Sequence, residues 1–137
     1  PKYYHDQEFS EKSLQRYQEF LDDYPNSKYT SDVLMSIETL REKLGRKLYE
    51  SGILYMKMEE FESAEMSFQK TIDLYYDTKI LNKAIQGKIK AMAKKGDLEI
   101  ASELLLKHKE SLINENLFSE IDDEIKNIKL KKSKSSE

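Results

Sequence analysis

Two histidines, four glycines and one run of acids are the places where this 137-residue sequence could carry catalysis. His5 and His108 stand far apart, and neither has a second histidine four residues away or a Glu-x-x-His partner, so no zinc or di-iron ligand set forms around them. Asp122-Asp123-Glu124 lacks the glycine turn and alternating ligands of a calcium loop and reads as a solvated helix face. The glycines are dispersed, which leaves no loop to cradle a phosphate. Absence of cysteine removes thiolate metal sites, thiol nucleophiles and disulfides. Neither an enzyme nor a cofactor is expected from these residues. Binding is the chemistry that remains.

Charge gives binding its first outline. The net charge is only −3, but it is segregated. Between Thr78 and Gly96 stand Lys79, Lys83, Lys88, Lys90, Lys94 and Lys95 with no acid, whereas Glu110 to Ile125 carries six acids and no base. Five further lysines follow from Lys126 to Lys134. A negative net charge, and no aromatic residues interleaved with those last lysines, argue against nucleic acid as the partner. No stretch approaches the roughly 20 apolar residues of a membrane span.

The elements that must hold these residues are helical. Four glycines and two prolines supply too few turns for a β-sandwich or barrel, and apolar residues recur at intervals of three and four along the chain. Leu14, Tyr17, Phe20 and Leu21 make one face of a helix from about Ser10 to Tyr24, ended by Pro25. Lys2 to Phe9 reads as a separate short segment before it. Ser31 offers an N-cap for a long helix reaching Met58. Within and after that helix, Leu48, Gly52, Tyr55, Ala64 and Phe68 fall at the spacing of a tetratricopeptide repeat, with Gly52 and Ala64 as the small residues that let two helices approach. Ala101 and Leu105 repeat the second-helix positions 37 residues on, against about 34 in the usual repeat.

The expected architecture is an all-α tetratricopeptide solenoid. It comprises a partial repeat over 1–29, a repeat over 30–78, another over 79–110, a capping helix over 115–130 and a disordered basic tail over 131–137. First helices of such repeats line a concave groove, which places Arg46, Tyr49, Ile53 and Lys57 there, followed by Lys83, Lys90 and Lys94. That predicts a cationic groove with an aromatic floor, suited to acidic or carboxylate-ended peptides. Tyr55, Met56, Met58, Met66 and Met92 read as core.

One family shares several of these runs. Tyr24-Pro25-Asn26-Ser27-Lys28-Tyr29-Thr30-Ser31-Asp32, then Leu40-Arg41-Glu42-Lys43-Leu44, Tyr55-Met56-Lys57 and Tyr75-Tyr76-Asp77-Thr78 resemble the BamD family, tetratricopeptide lipoproteins of the outer-membrane β-barrel assembly machinery. The resemblance runs from about Ser10 to Leu106 and implies the C-terminal half of a family member. It further implies a periplasmic scaffold that docks on the last periplasmic domain of the barrel-forming subunit, with other assembly lipoproteins as further partners. Contact with the membrane would then be made only through a lipid anchor outside this chain. On the second helix of the docking repeat, where the family often carries a basic residue, stands Ser67, with Lys70 one turn away. The alternative is a general tetratricopeptide adaptor using the lysine-lined groove.

Overall fold

Pro25 sits where the chain first turns. In the computed structural model, which describes residues 2–135 and the side chains of 11–135, helix α1 (Lys2–Asp23) stops just before it. No proline or glycine interrupts Lys2 to Asp23, so the segment expected to stand apart before Ser10 is continuous with the helix after it. Helix α2 (Thr30–Lys57) follows, then α3 (Phe61–Leu74), α4 (Leu81–Lys95), α5 (Leu98–Lys107), the short α6 (Lys109–Asn114) and α7 (Phe118–Ser135). Neighbouring helices pack in sequence order from α1 to α5, and α7 returns onto both α4 and α5. Together they form an all-α, tetratricopeptide-like solenoid.

The entry to α2 differs from the expected serine cap. Tyr29 holds the N-cap position without a side-chain bond. Ser27 organises the turn instead: its Oγ accepts the Tyr29 N–H at 3.1 Å, and its carbonyl accepts the Thr30 hydroxyl at 2.8 Å. At 28 residues α2 is about 42 Å long, twice the length of α3. Its second half pairs with α3, while its first half runs beyond the end of α3.

Glycine makes that pairing possible, against a different neighbour from the one the spacing suggested. A Cβ on Gly52 would lie 2.5 Å from Cε1 of Phe68, and one on Gly87 of α4 would lie 2.6 Å from Cζ of the same ring. Phe68 is wholly buried between these two bare backbones, with Ala64 and Ala91 beside it and Tyr49 tilted against it at 5.6 Å. Gly52 is therefore opposed by the ring of Phe68, and Gly87 completes the slot. The rest of the core centres on α4, where Ile85, Ile89 and Met92 meet Ala101 and Leu105 of α5 and Ile121 and Ile125 of α7.

Three helices end in one way. Chain reversal after α2, α4 and α6 places Glu59, Gly96 and Asn116 in the left-handed region, with φ of 59°, 99° and 59°. The next N–H then reaches back to a carbonyl five residues earlier: Glu60 to Tyr55, Asp97 to Met92 and Leu117 to Leu112, at 2.7–3.0 Å. Glycine suits this conformation and glutamate does not, since a Cβ there crowds the carbonyl oxygen. Glu59→Gly should raise stability by about 0.5–1 kcal/mol, and Gly96→Ala, with open space around it, should lower it by about 1 kcal/mol through backbone conformation alone. Thermal melts of the two variants should move in opposite directions.

Helix α7 also corrects the expectation of a disordered tail from residue 131. Ile128 packs against the α4–α5 core, and Lys129 Nζ donates to Ser102 Oγ of α5 at 3.1 Å. These contacts anchor the helix just before that point, and it continues to Ser135. Residues 136–137 lie outside the described residues.

Candidate functional site

The segregated charge is used first inside the fold. Gln86, Lys90 and Lys94 succeed one another at four-residue steps along α4, and α7 lies parallel beside them. Gln86 Nε2 donates to the Leu117 carbonyl at 3.1 Å, Lys90 pairs with Glu120, and Lys94 pairs with Glu124 at 3.1 Å. Parallel alignment is the relation between first helices of successive repeats, so α7 occupies the place that the next repeat would give its first helix. Each partly exposed ion pair contributes about 0.2–1 kcal/mol.

This ladder changes the expected groove. Lys90 and Lys94 are engaged by the acidic helix, so the lysine row is not continuously open. Lys83 lies one turn before Gln86, beyond the start of α7, and is exposed. On α2, Arg46 and Lys57 are exposed at the two ends of the stripe, while Tyr49 and Ile53 between them are half-buried against Phe68 and its neighbours. Burial pushes the Tyr49 phenol above its ordinary range, and the nearby Glu120 carboxylate adds to the effect. Tyr49 thus belongs as much to the core edge as to a groove floor.

Across the solenoid, α3 presents a different surface. Ser67 is half-buried and Lys70 exposed. Flanking Lys70 at four-residue steps are Met66, 69% exposed, and Leu74, 48% exposed; Tyr76 stands just past the helix end at 65%. Residue type groups Met66 with the core, but it is exposed, and so is Met58 at 58%; Met92 is buried, and Tyr55 and Met56 are half-buried. No sequence signal separates these methionines, because the pattern marks a helix face without saying whether a neighbour covers it.

The turn beside this surface is held by Arg41, whose role the groove reasoning missed. Its guanidinium reaches from α2 to the Asp77 carboxylate, with Nη2 at 2.7 Å and Nε at 3.0 Å from Oδ1, and Nη2 also donates to the Leu74 carbonyl at 2.6 Å. The rings of Tyr75 and Tyr76 lie 5.3 and 5.8 Å from it. Next to it Glu42 accepts the Lys79 N–H at 3.0 Å, so two neighbouring α2 side chains fix the α3–α4 turn. Hydrogen bonding from Arg41 holds the Asp77 carboxyl below the usual carboxylate range. Both partners stand in runs that the sequence comparison singled out, Leu40 to Leu44 and Tyr75 to Thr78, and that is the signal that could have found them.

Among the described residues no group of three or more His, Asp or Glu side chains is placed to hold a metal ion. No described helix is long and apolar enough to cross a membrane. A family model described as an outer membrane lipoprotein, YfiO, matches residues 1–105. No curated protein matches the chain. The match takes in α1 to α4 and most of α5, including the α3 surface, the Arg41 tie and the Phe68 slot; α6 and α7 lie beyond it.

Proposed function

Because the chain belongs to the YfiO, BamD-like family of outer membrane lipoproteins, we propose that it is a non-catalytic scaffold of the outer-membrane protein assembly machinery. It docks through the outer face of α3 on the periplasmic domain of the barrel-forming subunit. The observation that carries this reading is the exposed row Met66, Lys70, Leu74 on a helix whose opposite face is locked into the core by Phe68. Two large apolar side chains flanking one cation give a partner both area to bury and a charge to orient it, and the rigid turn behind them keeps the row in place. Work at the periplasmic face of the outer membrane follows from the same reading, with other assembly lipoproteins as further partners.

Exposed Arg46, Lys57 and Lys83 favour a second reading, an adaptor that captures an acidic or carboxylate-ended peptide on the groove side. Titrating the isolated last periplasmic domain of the barrel subunit against two variants separates the two. Met66→Glu with Lys70→Glu should weaken binding tenfold or more, while Arg46→Glu, Lys57→Glu and Lys83→Glu together should leave it nearly unchanged. Retention of binding by the α3 variant with loss in the groove variant would overturn the docking assignment in favour of the adaptor.

A further inference from the structure

Helix α2 carries one stripe along its length: Leu34, Glu38, Arg41, Gly45 and Gly52 follow one another at helical spacing on a single face. In the second half that face is covered, Gly52 by Phe68 of α3 and Gly45 by Tyr75. Arg41 marks the end of the cover, at the Leu74 carbonyl where α3 stops. Thr30 to Leu40, about three turns or roughly 16 Å, run on past it. On this overhang Leu34 is 52% exposed, and Glu38, among the described residues, has no hydrogen-bond or ion-pair partner. The corner between the overhang and the α3–α4 turn holds a cavity of about 330 Å³, with Leu34 and Ile37 on its α2 side. Its other carboxylates are engaged, Asp77 by Arg41 and Glu42 by the Lys79 N–H.

A helix covers this stripe where it is covered at all, so a helix is the shape the overhang fits. The outer row of α3 has the matching chemistry: Met66, Lys70 and Leu74 stand exposed at four-residue steps, and Lys70 is likewise without a partner among the described residues. Overhang and α3 form a step, the floor and the tread about 10 Å apart. A two-fold axis at the corner interlocks two such steps. It reverses α3, which in the second copy then runs parallel to α2 of the first, with Leu74 at the corner beside Glu42. Counting back by four on both helices sets Lys70 against Glu38, and by four again Met66 against Leu34. From this shared spacing of apolar and oppositely charged positions, we propose that the chain forms a two-fold dimer in which α3 of each copy seats on the α2 overhang of the other. The interface is isologous, so every contact occurs twice. Three turns against three turns, made twice, is a modest surface, and the dimer is of the weak, concentration-dependent kind. On the docking reading above it is also a resting form in which α3 is masked; that consequence rests on the reading, whereas the dimer does not.

Sedimentation equilibrium of the 137-residue chain over a range of concentrations tests the dimer. Glu38→Lys and Lys70→Glu should each weaken association at least tenfold, because either change sets like charges together twice. Joining both in one chain should restore it with the charges exchanged, and so should mixing the two single variants, each of which complements the other. Glu99→Lys, exposed on α5, should change nothing. A chain that stays monomeric at millimolar concentration, or a dimer indifferent to both reversals, overturns the proposal; so does a double variant no better than the singles. Glu38→Lys leaves the α3 row intact, so a failure of dimerisation and a failure of docking are read separately.

Discussion

Gly87→Ala and Gly52→Ala should each lower the melting temperature by several degrees, a cost of about 1–3 kcal/mol apiece. The ring of Phe68 fills the space between the two backbones, and a new Cβ at either position would fall within 2.5–2.8 Å of its atoms. A single alanine can be relieved in part by moving the ring toward the glycine that remains. The double variant removes that escape, so its cost should exceed the sum of the two singles. Phe68→Leu should recover part of the loss in the Gly87→Ala background while being destabilising by itself. Ser67→Ala, one residue away on a half-buried position, should be nearly silent. Thermal or urea denaturation of the set decides it. Strict additivity, or no rescue by leucine, would mean that the ring is not what the two glycines accommodate.

Arg41→Ala should cost about 1–2 kcal/mol, and Arg41→Lys most of the same, since an ammonium cannot reproduce the forked contact with Asp77 and the Leu74 carbonyl together. The tie is also pH-dependent in a defined direction. Asp77 has a folded pKa below its unfolded value of about 3.9, so the folded state favours the carboxylate. Its contribution is complete above the unfolded value and is lost as pH falls through the lowered folded one. Asp77→Asn should therefore be less stable than the parent near neutrality, with the difference shrinking on acidification below about pH 4. Denaturation midpoints measured across that range check the sign, and a difference that grows toward acid would contradict the assignment. Because the same turn stands behind Leu74 and Tyr76, loosening it should also weaken the docking proposed for α3.

What the sequence revealed depended on how far apart the interacting residues lie. Pro25 and the intervals linking Leu48, Gly52, Tyr55, Ala64 and Phe68 operate within one or two helices, where periodicity and turn chemistry leave direct marks. Gly87 stands thirty-five residues after Gly52, close to one repeat length, but its meaning depends on a third helix bringing it to the ring that Gly52 already touches. Charge segregation between α4 and α7 was plain in the sequence. The ladder pairing Lys90 with Glu120 and Lys94 with Glu124 was not, because composition gives no register between helices. The same limit applies to Arg41 and Asp77, thirty-six residues apart. For the candidate surface, sequence pattern placed Ser67 and Lys70 on the second helix of the repeat but could not say that Met66 and Leu74 would remain uncovered. The C-terminal lysines differ from expectation for another reason: high charge and closing serines suggest disorder, whereas Ile128 packs against the α4–α5 core and α7 runs on to Ser135.

Continuity of α2 has a consequence for motion. One uninterrupted helix packs against both α1 and α3, so those two parts of the array share a single rod. The points at which such a rod would bend are its glycines. Both are blocked from the side, Gly45 by Tyr75 and Thr78 and Gly52 by Phe68. A displacement imposed on α1 should therefore reach α3 as a lever movement of the whole rod. Slow hinge motions between these parts should be absent from α2 itself, and relaxation-dispersion measurements should find its amides quiet on the microsecond to millisecond scale.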